Sequence, residues 1–395
     1  MFAELTSSRL SSGKTQHTST GSHVKSEGVG RLSPAMRPPR KMFCFVLALL
    51  LIFIFIFLRT DNHPKKNEQP LYGYAPIFLE EEDGDDQDWP SVGKRLIDLT
   101  NSLDKPKEFQ EKFGSEVIFF IETSEKGRMN VRQVCTIEAV CLHNPRAHVF
   151  VVFPYPVMEI NMERSPALVD LVAGKDNVHL VTVSSDEVVR GTPLEEVAES
   201  KLKLSPTPKE HLSDLLRLGL LWKLGGVYMD LDLITFKSVA PLARLRNFVT
   251  ADGVDQVNTA MCGFQPKHPF LQKIMQDVRD TYDPNVYSTV PFAFNAAIRA
   301  YFNMPVAEAI QRGKLADMYI LDQSVISPVT YVNYTTLLDH RMANLTDEIV
   351  EKSYGAHLWG SLTTKFRLRI GSKSPYATIA RRFCPNALNY ATKYF

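Results

Sequence analysis

The 395-residue chain has almost no net charge: 45 lysines and arginines oppose 44 aspartates and glutamates, leaving a formal +1. No global field argues for nucleic acid as a partner. Cysteine is also scarce, with five residues in all. Beyond Cys44 stand Cys135, Cys141, Cys262 and Cys384. In an oxidising compartment these permit two disulfides in any of three connectivities, yet Cys135 and Cys141 read equally well as buried thiols six apart on a helix. Internal repeats and low-complexity tracts are absent after residue 115. At 44% hydrophobic and 23% charged, the composition is that of a globular protein with ample core.

The near-zero total hides an asymmetry. Residues 1–41 carry Arg9, Lys14, Lys25, Arg31, Arg37, Arg40 and Lys41 against Glu4 and Glu27, whereas LEEEDGDDQDW (79–89) is acidic. Between them MFCFVLALLLIFIFIFL (42–58) lacks any charged or strongly polar side chain. Such a run makes a helix of roughly 25 Å, enough for a thin bilayer. A cleaved signal peptide fits less well, because the basic region ahead is long and RTDNHPKK after it lacks a small-residue cleavage site. A buried core helix would not be apolar all round between Arg40, Lys41 and Arg59. The expectation is a cytosolic basic tail (1–41), a single transmembrane signal anchor (42–58), a polar stem (59–112) and a lumenal body (113–395). Arg37, Arg40 and Lys41 set that orientation. Asn333-Tyr334-Thr335 and Asn344-Leu345-Thr346 suit a lumenal location as glycosylation acceptors, although such triplets also arise by chance.

From about residue 115 short apolar strands alternate with helices: SEVIFFIETS (115–124), a helix over 129–145, HVFVVF (148–153) and VHLVTV (178–183). This alternation predicts an α/β domain with a mostly parallel central sheet covered on both faces. KEHLSDLLRLGLLWKL (209–224) presents a broad leucine face, and Gly225-Gly226 ends that helix. VYMDLDLITF reads as the next strand. Alternation along a strand would put Asp230 and Asp232 on one face, at the carboxyl edge where open α/β sheets bind ligands. Paired carboxylates are hard donors suited to Mg²⁺ or Mn²⁺ beside a phosphate. Two other readings of a bare D-x-D are a turn capped by backbone hydrogen bonds and the opening motif of a phosphatase-like hydrolase. In the hydrolase, however, the motif begins the domain.

The longer block SDLLRLGLLWKLGGVYMDLD (213–232) closely resembles the α1,4-galactosyltransferase/α1,4-N-acetylglucosaminyltransferase family, and more distantly the large clostridial glucosylating toxins. The likeness covers roughly 115–395 and includes FFIETS, AHLWGS (356–361) and RRFCPNAL (381–388) in the family's order. It implies a GT-A-like nucleotide-sugar-binding domain in a type II Golgi membrane protein. It also implies retaining transfer of galactose or N-acetylgalactosamine from a UDP-sugar in α1,4 linkage, with a glycosphingolipid as acceptor. By the same resemblance, Asp230 and Asp232 would hold Mn²⁺ against the donor diphosphate, with His357 completing the site. Asp214 and Arg217 would grip the donor sugar; as plain helix neighbours they could equally form an intrahelical ion pair. Glu122 and Thr123 would lie near the uridine, where a solvated loop explains them as well, and Trp359 would belong to the core.

The chain also departs from that pattern. The expected N-G-A segment is Asn258-Thr259-Ala260, W-G-x-x-G-P is replaced by VYSTVPFAFNAAIRAYF (286–302), and Gly360-Ser361 stands where an asparagine is expected. Asn258 remains a candidate for the donor or acceptor pocket, and Asp255 and Gln256 fall in the segment where a nucleophile could stand. These departures motivate a second reading, a feeble family member assisting another Golgi transferase. A third is transfer to glycoprotein glycans. Self-association or assembly with other Golgi enzymes is compatible with each.

Overall fold

The computed structural model describes residues 96–395 except 125, 157–159, 161, 288 and 289. The expected anchor at 42–58 and most of the stem lie outside the described residues. Among the described residues no helix is long and apolar enough to cross a membrane.

Among the described residues eleven strands form the scaffold: β1 (Ile97–Asp98), β2 (Val117–Ile121), β3 (His148–Phe153), β4 (Val178–Thr182), β5 (Gly226–Met229), β6 (Leu233–Thr235), β7 (Phe248–Ala251), β8 (Val257–Phe264), β9 (Lys314–Leu315), β10 (Met318–Leu321) and β11 (Gly355–His357). Nine of them make one sheet in the order β1-β4-β3-β2-β5-β8-β7-β10-β9, and β11 pairs with β6 in a separate ribbon. From β1 to β5 every pairing is parallel, as is β10 with β7. The strand β8 runs antiparallel to both β5 and β7, and β9 antiparallel to β10. The sheet is thus mostly parallel, as the sequence predicts.

Side-chain alternation divides the core. Ile118 and Phe120 of β2 join the cluster on one face, with helices α2 (Val131–His143), α3 (Pro166–Gly174) and α6 (Pro375–Phe383). Val117, Phe119 and Ile121 join the other, with α1 (Pro106–Phe113), α4 (Pro208–Leu224) and α5 (Pro269–Thr281). Burial on both faces is why β2 reads as an unbroken apolar run. The stem boundary at 112 needs correcting, because the body begins earlier. The strand β1 pairs with β4, and Leu99, Leu103 and Phe109 are buried in the second cluster. A short polar stretch with three well-spaced apolar residues suffices to dock on a preformed sheet.

Two further sequence features resolve here. Cys135 of α2 is bridged to Cys384, just after α6, across 249 residues, while Cys141 and Cys262 are buried free thiols. Burial pushes both thiols up to about 12. Beside the bridge, buried Glu138 accepts from the backbone N–H groups of Asn386 and Ala387 at 3.1 and 2.7 Å. The RRFCPNAL segment therefore fastens the carboxyl end to α2 rather than facing the cleft.

Candidate active site

The helix α4 delivers the chain to the site. Gly225 caps it with φ of 72° and its N–H bonded to the Leu221 carbonyl. A Cβ at Gly225 would lie 2.6 Å from Pro266 Cδ, and one at Gly226 3.0 Å from the Val117 carbonyl oxygen. Both glycines are required by left-handed backbone and by close approach. The strand β5 then runs beside β2, whose other neighbour is β3, so the sheet order reverses between β2 and β5. The carboxyl edge at such a switch is where open α/β sheets leave a ligand crevice.

The expected single strand VYMDLDLITF is two strands. Its first part, β5, ends at Met229, and residues 230–232 form a tight turn in which the Leu233 N–H bonds the Asp230 carbonyl at 3.3 Å. Leu233 then opens β6 in the other ribbon. Asp230 and Asp232 converge through this turn and not through strand alternation. An uninterrupted apolar pattern on either side concealed the change of sheet.

The ribbon partner β11 brings His357 to the pair. Its Nε2 lies 3.2 Å from Asp232 Oδ1 and 4.0 Å from Asp230 Oδ2, and one donor atom from each of the three falls within 4.8 Å of the others. Two ligands at right angles on a small divalent ion would stand about 3 Å apart. Two carboxylates and an imidazole at this spacing therefore fit one such ion. Burial works against charge on His357, but Asp232, Asp230 and Asp252 outweigh it and hold the imidazole pKa above its ordinary value. For Asp232, burial raises the carboxyl pKa, while His357 and the Gly360 N–H bring it below the ordinary value. The Gly360 N–H donates to Asp232 Oδ2 at 2.5 Å, and a Cβ on Gly360 would stand 2.9 Å from that same oxygen. Trp359, buried with φ of 54°, anchors this corner through its indole N–H to the Val329 carbonyl and lies 4.0 Å, ring to ring, from His357.

On the opposite wall Arg217 is almost fully enclosed. It pairs with Asp214 at 3.2 Å and with Asp230 at 3.3 Å, donates to Thr259 Oγ1 at 3.1 Å, and stacks 4.4 Å above the Tyr228 ring. Burial opposes its charge, but Tyr228, Asp230 and Asp214 more than compensate and raise its pKa. Burial raises the Tyr228 hydroxyl pKa strongly, keeping it protonated, and it donates to Asp230 Oδ1 at 2.7 Å. The intrahelical ion pair is present, and Arg217 also reaches Asp230. Tyr228 went unread although it stands in the quoted block, two residues before Asp230.

These groups line a cleft of about 620 Å³ together with Thr123, Lys209, Asp252, Gln256, Asn258 and Tyr287. Thr123 faces it while its hydroxyl bonds the Lys209 carbonyl at 2.9 Å. Glu122 does not join this wall. It is fully buried and accepts from the Ser124 N–H at 2.7 Å, closing the loop after β2. Asn258 is on the wall, its Oδ1 taking the Ala260 N–H at 2.5 Å. Gln256 lines the cleft, whereas Asp255 is exposed and off the wall.

The comparisons with known proteins agree with this geometry. A model described as a glycosyltransferase sugar-binding region containing the DXD motif matches residues 130–249, and one described as an alpha 1,4-glycosyltransferase conserved region matches residues 263–391. Lactosylceramide 4-alpha-galactosyltransferase of Mus musculus is 24% identical over 272 residues, 68% of this chain and 74% of that protein. Alpha-1,4-N-acetylglucosaminyltransferase of Homo sapiens is 24% identical over 277 residues, 68% of this chain and 78% of that protein. Among solved structures, the galactosyltransferase LgtC in complex with donor and acceptor sugar analogues is 15% identical, covering 70% of this chain and 96% of that one, with a TM-score of 0.35. Over both matched regions the chain is similar to alpha-1,4-galactosyl and alpha-1,4-N-acetylglucosaminyl glycosyltransferases.

Proposed function

We propose that this protein is a retaining transferase of galactose or N-acetylgalactosamine, moving the sugar from its UDP ester in α1,4 linkage to the terminal sugar of a glycosphingolipid. The observation that carries the reading is the Asp230–Asp232–His357 trio inside a cleft large enough for a nucleotide sugar. Asp230, Asp232 and His357 are the residues that would hold Mn²⁺, whose chemistry there is to offset charge on the departing diphosphate. Arg217 and Tyr228 hold Asp230 in place through the ion pair and the hydroxyl hydrogen bond. The Gly360 N–H fixes the Asp232 carboxylate, and the Trp359 ring packs against His357. Galactosyl transfer to lactosylceramide is what the relatives' names describe, and that supports the donor and acceptor classes proposed here.

We place the protein in the Golgi membrane as a single-pass type II chain with the cleft in the lumen. The apolar run 42–58 behind Arg37, Arg40 and Lys41 supports that topology. The Cys135–Cys384 bridge supports an oxidising compartment.

The test is transfer from radiolabelled UDP-galactose and UDP-N-acetylgalactosamine by the detergent-solubilised full chain, with glycolipid and glycoprotein acceptors side by side. Product on a glycolipid with one donor, abolished by EDTA, is expected. Folded protein that neither transfers nor hydrolyses either donor would instead support the assisting-partner reading.

A further inference from the structure

Asp252 was not singled out in the sequence, and the metal trio does not use it. It follows β7 directly, and its N–H bonds the Gln256 carbonyl at 2.8 Å, closing the loop to β8. It lines the same cleft as Asp230, Asp232 and His357. Asn258 Nδ2 approaches its Oδ2 at 3.4 Å, a distance at which the bond is weak. Its Oδ1 is shielded from solvent and has no hydrogen-bond partner among the described residues.

The other buried or half-buried carboxylates of the cleft are committed. Asp214 pairs with Arg217, Asp230 with Arg217 and Tyr228, and Asp232 with His357 and the Gly360 N–H. A shielded carboxylate oxygen left without a donor is costly unless a ligand supplies one. Asn258 is itself fixed, its Oδ1 taking the Ala260 N–H, so it offers Asp252 no more than that weak contact. Burial pushes the Asp252 carboxyl up, with His357 and Asn258 acting in the opposite sense, which suits a site completed by a donor from outside.

We propose that Asp252 binds a substrate sugar hydroxyl, its carboxylate turning into the cleft to accept the hydroxyl hydrogen beside the metal trio. A hexose offers such donors on either substrate, the donor sugar or the acceptor sugar. The inference rests on the glycosyltransferase reading above and deepens it. Asp252 is a binding residue here, and no covalent step is assigned to it.

The experiment compares wild type, Asp252→Asn and Asp252→Ala as full-length protein in detergent with Mn²⁺. Calorimetry would measure the binding of UDP and of UDP-galactose, and kinetics would measure transfer and donor hydrolysis. Both variants should melt within a few degrees of wild type and bind UDP unchanged. Their kcat/KM for transfer should fall roughly tenfold to hundredfold, the effect of losing a hydrogen bond to a charged group. Weakened UDP-galactose binding with normal UDP binding assigns the hydroxyl to the donor sugar. Normal donor binding and hydrolysis with a raised acceptor KM assigns it to the acceptor sugar. Unchanged kcat/KM in both variants, or an equal loss of UDP and UDP-galactose binding, overturns the proposal. A wild type that binds no UDP-sugar overturns the parent reading and this inference with it.

Discussion

Arg217 Nη1 stands 3.3 Å from Asp230 Oδ1, so the helix before the metal turn holds one of its two carboxylates directly. The same guanidinium reaches Asp214 at 3.2 Å. Removing it would leave carboxylates of low exposure without their cation, a change that costs about 3–5 kcal/mol for a buried pair. Arg217→Ala should therefore unfold at clearly lower denaturant, and Arg217→Lys, which keeps charge but loses the fork, should fall between it and wild type. Urea titration followed by circular dichroism checks both. A midpoint for Arg217→Ala equal to wild type would contradict the structural role.

Metal affinity should depend on pH through His357. The imidazole must be neutral to ligate, and its pKa in the fold lies above the ordinary 6.5. Mn²⁺ binding, read by electron paramagnetic resonance, should weaken as pH falls through that raised value. Without metal the sign reverses for stability. A group whose pKa is raised on folding stabilises below its unfolded pKa, and that contribution disappears as pH rises through the folded value. Metal-free protein should thus lose part of its thermal stability toward alkaline pH, and His357→Gln should flatten the trend.

Gly360 tests how tightly Asp232 is placed. Because a Cβ would stand 2.9 Å from Asp232 Oδ2, Gly360→Ala must displace that carboxylate. We expect kcat/KM to drop on the order of tenfold or more, as misplacing a catalytic constellation by a fraction of an ångström does, with Mn²⁺ affinity falling alongside. Gly360→Ala with wild-type kinetics would show that Asp232 has no such constraint.

The Cys135–Cys384 bridge closes a loop of 249 residues in sequence separation. Constraining so long a loop stabilises by roughly 2–5 kcal/mol. Cys384→Ser should melt well below wild type, and Cys141 and Cys262 should resist thiol reagents until the protein unfolds, since both are buried. Labelling of either thiol in native protein would contradict their placement.

Much of this architecture was legible in the residues. The β2 and β3 segments announced themselves as unbroken apolar runs, and the leucine face followed by Gly225 marked both α4 and its end. Asp230, Asp232, His357, Asp214, Arg217, Thr123 and Asn258, all singled out from the residues, line one cleft. What did not show was whatever depends on distant chain. The turn at 230–232 hides because β6 is as apolar as β5, and only its pairing with β11 separates them. Asp252 gives no signal at all, since its significance is an oxygen left without a partner by groups that surround it in space.

The decisive measurement is sugar transfer with and without metal, comparing the full-length protein with Asp232→Ala. We expect wild type to move one sugar from its UDP ester to a glycolipid, EDTA to abolish the reaction, and Asp232→Ala to stay inactive when Mn²⁺ is restored. Transfer that survives EDTA, or survives loss of Asp232, would contradict a metal-held diphosphate at this site.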